Sequence, residues 1–190
     1  MKRPTKQQAE EAVKLLLDYI VGSNGREGLK DTPSRVVKSY SELFSGYNDD
    51  IDIVLNRRFR DISDYDDVVL LKSINFTSTF EHHMLPFSGA VDIAYIPSDE
   101  VIGISKFARL VDMFARRLQI QERMTAEIAC ALQENLAPKG VAVRVEASHS
   151  CMTCRGAQKG GSTMESTHFT GEYKSNSEKR REFLEAVRCS

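Results

Sequence analysis

The chain has 190 residues, 41% of them hydrophobic and 28% charged, with a formal net charge of −1. That length most simply makes one domain with a helical extension and is enough to bury a real core. The near-neutral balance gives no global field for nucleic acid or a membrane surface, so any anion site must be a local cluster of basic groups.

No segment approaches the roughly 18 apolar residues that cross a bilayer. The start, Met1 to Glu11, has basic residues with no apolar core behind them and does not read as a secretory signal. In chain order, Gln7 to Val21 carries a helical stripe at Ala9, Val13, Leu16, Leu17 and Ile20. Gly22, Gly25 and Gly28 break it. Asp31-Thr32-Pro33 predicts a helix start, with a side-chain oxygen to cap and proline in the first turn; that helix runs to about Phe44. The acidic stretch from Asp61 to Asp67 reads as a solvated connector. From Val68 the period changes. Strands are predicted over Val68 to Asn75 and Ala90 to Ile96, joined by a segment with Glu81-His82-His83 and a Ser88-Gly89 turn. A helix follows from Ser105 to Leu118, with Phe107, Leu110, Val111, Phe114 and Leu118 as its buried stripe. Another covers Gln121 to Leu136 and stops before Pro138-Lys139-Gly140. Val141, Val143, Val145 and Ala147 alternate with Ala142, Arg144, Glu146 and Ser148, a strand with one apolar face. A last strand, Ser166 to Tyr173, leads to a helix starting near Asn176.

Three of the four histidines fall at two places, Glu81-His82-His83 and Ser148-His149-Ser150-Cys151, and two of the four cysteines, Cys151 and Cys154, lie in or just after the second. Imidazole and thiolate at two strand ends are the ligands that a catalytic zinc site takes, with one position left for water. The plain structural alternative makes His82 and His83 polar strand-end residues and Cys151 a small buried hydrophobe. Lys106 and Arg109 are three residues apart, on the helix face opposite Phe107 and Leu110, and Arg155 follows Cys151 by four. With Arg35 they make a phosphate site only if the fold gathers them; singly, each reads as a basic group shown to water. Cys130 reads as core beside Ile128 and Leu132, Cys189 as exposed, and His168 as an exposed or pairing strand residue. Four cysteines at 130, 151, 154 and 189 fit a reduced, cytoplasmic setting better than a disulfide framework.

Five motifs occur in order: Arg26-Glu27-Gly28-Leu29-x-Asp31-Thr32-Pro33-x-Arg35-Val36, Glu81-His82-His83-x-x-Pro, Gly103-Ile104-Ser105-Lys106-x-x-Arg109, Arg117-x-Gln-x-Gln121-Glu122-Arg123-x-Thr125, and His149-x-Cys151-Met152-x-x-Arg155-Gly156. Together they resemble the GTP cyclohydrolase I family, from about Gln7 to Val187. The resemblance implies an α+β tunnelling fold: a four-stranded antiparallel sheet with two helices on one face, plus N-terminal helices. Residues 1–66 would form the helical region and connector, and residues 67–190 the catalytic domain. It also implies a homo-oligomer, a decamer of two stacked pentameric rings, with active sites between subunits.

The reaction implied is zinc-dependent hydrolytic opening of the imidazole ring of GTP. It releases formate and gives 7,8-dihydroneopterin triphosphate, the first step of tetrahydrofolate biosynthesis. By the family pattern His83 and Cys151 ligate Zn²⁺, whose bound water attacks C8. His82 and His149 transfer protons, and Ser105 serves the ribose steps. Glu122 accepts hydrogen bonds from guanine, while Lys106, Arg109 and Arg155, with Arg35 as a further candidate, hold the triphosphate. One departure stands out. The family motif is Cys-Glu-His-His, its cysteine the first zinc ligand, and here that position is Phe80. Three readings follow: an otherwise ordinary enzyme left metal-poor, a replacement thiolate from Cys154, or a GTP-binding regulatory or structural member without catalysis.

Overall fold

The chain divides into two units, Met1–Ser45 and Gly46–Ser190. The computed structural model describes residues 3–22, 25–60, 65–156 and 158–188. Residues 61–64 of the acidic connector, Met1 and Lys2 of the basic start, and Cys189 lie outside these.

Among its described residues the first unit holds two α-helices, α1 (Lys6–Val21) and α2 (Thr32–Leu43), with a 3-10 turn at Glu27–Leu29 between them. α1 begins with a reciprocal cap. The Gln8 N–H donates to Thr5 Oγ1 at 3.3 Å, and the Thr5 N–H donates to Gln8 Oε1 at 2.9 Å. Gly22 ends it in a positive-φ conformation. α2 does carry proline in its first turn, but the expected Asp31 side-chain cap is not made. Instead the Asp31 carboxylate lies 3.7 Å from the Arg35 guanidinium one turn on. Its backbone carbonyl takes the Ser34 hydroxyl at 2.9 Å.

The second unit is α+β. Its elements are α3 (Ile51–Val54), β1 (Arg58–Phe59), β2 (Val69–Phe80), β3 (Pro86–Ile96), β4 (Val101–Ile102), α4 (Ile104–Ala115), β5 (Leu118–Gln119), α5 (Gln121–Leu136), β6 (Gly140–His149), α6 (Ser150–Thr153), β7 (Met164–Phe169), α7 (Gly171–Ser175) and α8 (Ser177–Arg188). The main sheet has the order β5-β2-β3-β6-β7. β2, β3, β6 and β7 pair antiparallel, which is the expected four-stranded sheet; β5 adds two residues in parallel beside Thr79 and Phe80.

The apolar face of β6 (Val141, Val143, Val145) meets Phe107, Leu110 and Val111 of α4 and Met124, Ile128 and Leu132 of α5, all buried in one core. On the sheet's other face a smaller cluster joins Ala94, Ile96 and Ala142 to Tyr173, Phe183 and Val187 from α7 and α8. Beyond that cluster the same face carries Asp92 and Arg144. Arg144 reaches Asp92 at 2.9 Å and Glu165 at 3.0 Å, and both members of the Arg144–Asp92 pair are nearly enclosed.

β2 is not regular. A bulge between Leu71 and Ile74 puts Ser73 at φ 59°, and its N–H is held by Asp92 Oδ1 at 2.8 Å. Val69 and Leu71 face the main core before the bulge; Ile74, Phe76 and Phe80 face it afterwards.

Four sequence expectations change. β2 runs five residues past Asn75, because Phe76, Ser78 and Phe80 continue an inward alternation against Thr77 and Thr79. Ser88-Gly89 is not a turn but the middle of β3, paired with Ser148 and Ala147. Glycine is needed there for closeness: a Cβ at Gly89 would stand 1.9 Å from the Glu146 carbonyl oxygen. The helix predicted to Leu118 stops at Ala115, and Leu118 instead pairs with Thr79. The last strand ends at Phe169, where the Thr170 hydroxyl takes the Val141 N–H at 3.0 Å and Gly171 opens α7.

Candidate active site

The β2–β3 connection carries the first histidine pair on a tight turn. The Phe80 N–H donates to the Leu85 carbonyl at 2.9 Å, and the Met84 N–H donates to the Phe80 carbonyl at 2.9 Å. Met84 sits at φ 56°, a left-handed conformation disfavoured for a residue with a Cβ. This turn throws Glu81 and His82 outward and keeps His83 half-buried. No sequence signal marks Met84 for that role.

β6 brings the second cluster to the same end of the sheet. Register pairs His149 with Phe87, and their rings stack at 5.1 Å between centroids, 5° from parallel. Phe80 occupies the space between the histidines. Its ring lies 4.9 Å from His83, 5.4 Å from His82 and 5.7 Å from His149. The fold therefore gathers His82, His83 and His149, 66 residues apart in the chain, around one phenyl ring.

His149 is 7% exposed, and its Nε2 has no hydrogen-bond partner. Burial pushes its imidazole below the ordinary histidine range, and the nearby Glu122 carboxylate partly offsets this. Glu122 stands in the first turn of α5, exposed, with its charge felt at His149. An imidazole kept neutral with a free, buried nitrogen is suited to take a proton from a bound substrate.

The three basic or hydroxyl candidates on α4 are placed elsewhere. β3 runs away from the turn to Ile96, α4 starts after β4, and it returns so that β5 meets the end of β2. Twelve helical residues rise about 18 Å. Ser105 and Lys106, in the first turn of α4, are thus toward the opposite end of the sheet from His82 of the same chain, and Arg109 follows about one turn further on. Lys106 is not displayed to water as its helix face predicts: it is 7% exposed, with Nζ donating to Asn56 Oδ1 at 2.9 Å. Asn56, which fixes that amine, carries no motif that would reveal it in sequence. Arg109 and Arg155 are exposed. Arg155 follows α6 and so lies on the His149 side. Arg35 belongs to the first unit, where it is exposed and paired with Asp31.

A metal fits this arrangement poorly. Among the described residues no three His, Cys, Asp or Glu side chains converge as a metal ligand group. The two expected ligands, His83 and Cys151, are both half-buried, a catalytic zinc takes three protein ligands, and the residue three before His83 is the phenyl ring of Phe80. His83 Nδ1 also accepts the Leu85 N–H at 3.3 Å, which leaves the ring proton of the neutral imidazole on Nε2. Cys130, Cys151 and Cys154 are free thiols. Cys130 is half-buried rather than sealed in the core, and its Sγ lies 3.9 Å from His168 Nε2.

Sequence comparison adds the family. A profile described as GTP cyclohydrolase I matches residues 9–188. GTP cyclohydrolase 1 of Rickettsia felis is 52% identical over 184 residues, covering 97% of this chain and 97% of the relative. That of Rickettsia prowazekii is 51% identical over 187 residues, covering 98% of each. Among solved structures, a QueF-like archaeosine synthase is 22% identical, covers 55% of this chain and 93% of its own, and has a TM-score of 0.44. With matches that run the length of both partners, the chain belongs to the GTP cyclohydrolase I family, the hydrolases of GTP in tetrahydrofolate biosynthesis.

Proposed function

We propose that this site binds GTP and opens its imidazole ring by hydrolysis, releasing formate and leading to 7,8-dihydroneopterin triphosphate. The observation that carries the reading is the convergence of three imidazoles at one sheet end, with the Glu122 carboxylate facing one of them. Glu122 recognises the base, since a carboxylate offers the two acceptors that guanine N1–H and its 2-amino group need. His149, buried and neutral, takes and returns protons near the ring, and His82 on the exposed turn serves a second transfer. Ser105 assists the ribose steps.

Lys106, Arg109 and Arg155, with Arg35, hold the triphosphate. Because α4 begins at the far end of the sheet from His82, Lys106 and Arg109 meet the histidines through a neighbouring subunit, while Arg155 lies on the His149 side of its own chain. Among the described residues β5 covers only Thr79 and Phe80 of β2, and β7 ends the sheet on the other side; strand edges left in this way seek partners and support the same assembly. A homodecamer of two rings satisfies both, in a cytoplasmic setting. Among the described residues no helix is long and apolar enough to cross a membrane.

Zinc is the family's metal, and His83 and Cys151 are the residues to hold it. Two protein ligands bind it weakly, so the protein as it stands is metal-poor and slow. Zinc analysis of purified protein beside an assay of formate release from GTP tests the reading. GTP binding with slow formate release supports it; GTP binding with no release, even after zinc loading, would instead make the protein a GTP-binding regulatory or structural member. No GTP binding would remove the reading altogether. Sedimentation at micromolar concentration tests the assembly, and a monomer would defeat it.

A further inference from the structure

Arg123, the residue after Glu122, stands about 100° further round α5 and reaches the histidine turn at Glu81. Its guanidinium is gripped from two sides. Nε donates to Gln119 Oε1 at 3.1 Å, and an NH2 group pairs with the Glu81 carboxylate. Gln119 is only 2% exposed and is itself fixed, donating to the Phe114 carbonyl at 3.2 Å and to Glu127 Oε2 at 2.7 Å. The backbone makes the same connection, with the Glu81 N–H donating to the Gln119 carbonyl at 3.0 Å. The other Glu81 oxygen stands 3.7 Å from His82 Nε2. A chain of contacts thus runs from the buried Gln119 through Arg123 and Glu81 to His82.

Arg123 and Glu81 are partly open to water, with side chains 41% and 32% exposed. Pairs of that kind add little to folding stability. What this one does fix is geometry: it ties the turn bearing His82 and His83 to the helix start bearing Glu122. We propose that Arg123 and Glu81 are a positioning pair, setting the spacing between the carboxylate that recognises the base and the imidazoles that act on it. The proposal rests on the reading of Glu122 and His82 given above. A shift of about 1 Å between bound ring and acting group can cost about 10²-fold in rate.

The test uses the full chain and, in parallel, the Phe80→Cys background. Equilibrium GTP affinity and single-turnover formate release are measured for Glu81→Gln, Arg123→Gln, the double variant and Arg123→Lys. The expected result is a fall of about 10- to 100-fold in formate release for each single glutamine variant, with GTP affinity within about threefold of the parent. The double variant should be no slower than the slower single, because the two residues act as one unit. Arg123→Lys, which keeps the charge facing Glu81, should recover part of the loss. Additive losses, or affinity falling in step with release, would overturn the positioning role. A parent that releases formate with variants that match it removes the pair alone. If neither background releases formate from GTP, the functional reading fails and the pair with it.

Discussion

The rings of Phe80 and His83 stack 4.9 Å apart, 29° from parallel, at the point where the β2 strand turns. An apolar ring in that position gives His83 a face to lie on but no electron pair to share with a cation. Replacing Phe80 by cysteine removes the stack and supplies a thiolate three residues before His83. Phe80→Cys is therefore expected to raise zinc content toward one per subunit and to raise formate release with it, by about tenfold or more. Unchanged zinc and turnover would show that position 80 does not limit this protein. If the unaltered chain already carries full zinc, Cys154 is the donor to examine, and Cys154→Ser should then abolish both zinc and turnover.

Glu122→Gln keeps the size of the side chain and removes one of two acceptors. Guanine then faces an amide N–H where it needs an oxygen. A site built to satisfy polar groups discriminates by about 10⁴-fold when one is left unpaired. Glu122→Gln should depress kcat/KM for GTP by that order, with unfolding unchanged because Glu122 is exposed. Normal GTP binding by this variant would take Glu122 out of base recognition.

Gly89→Ala should destabilise the second unit by about 3 kcal/mol. The added Cβ meets not a flexible side chain but the backbone of β6, at the Glu146 carbonyl. Either the β3–β6 pairing spreads or it breaks, and His149 shifts in both cases. Denaturant unfolding followed by circular dichroism measures the loss; a midpoint equal to that of the wild type would mean the strands part there at little cost.

Tyr173, 2% exposed, has its phenol pushed up to about 12 from the ordinary 10.0, chiefly by burial. Above pH 10 the unfolded chain has shed a proton that the folded chain still holds. Stability contributed by the neutral phenol is complete below pH 10 and declines as pH rises toward 12. Tyr173→Phe should flatten that decline relative to wild type in unfolding curves taken at successive pH values. Parallel curves for the two proteins would locate the alkaline loss elsewhere.

Regular periodicity made most of the second unit legible. Val141 to Ala147 alternates between the main core and the sheet's other face, and the stripe through Phe107, Leu110 and Phe114 packs as a helix in that core. Gln121 to Leu136 matches its helix residue for residue. What sequence could not carry was long-range closeness. Gly89 reads as a turn residue beside a serine, and only the approach of Glu146 makes it a strand residue. Lys106 reads as a surface cation, and only Asn56, fifty positions earlier, explains how its amine lies buried. The histidine clusters were visible as types at strand ends. Their meeting around Phe80 depends on pairing Phe87 with His149, a register that neither segment encodes alone.

The bulge at Ser73 has a consequence for the far end of β2. Leu71 and Phe80 are separated by nine positions, an odd number, yet both point into the main core. In an unbroken strand they would lie on opposite faces. The one extra residue at the bulge reverses the phase, so the side on which position 80 meets the histidines is decided by parity seven residues upstream. Length changes between Ser73 and Phe80 are consequently tolerable only in pairs. A single deletion there would carry Phe80, or a cysteine engineered in its place, through the sheet to the side of Asp92 and Arg144, without altering any residue of the site.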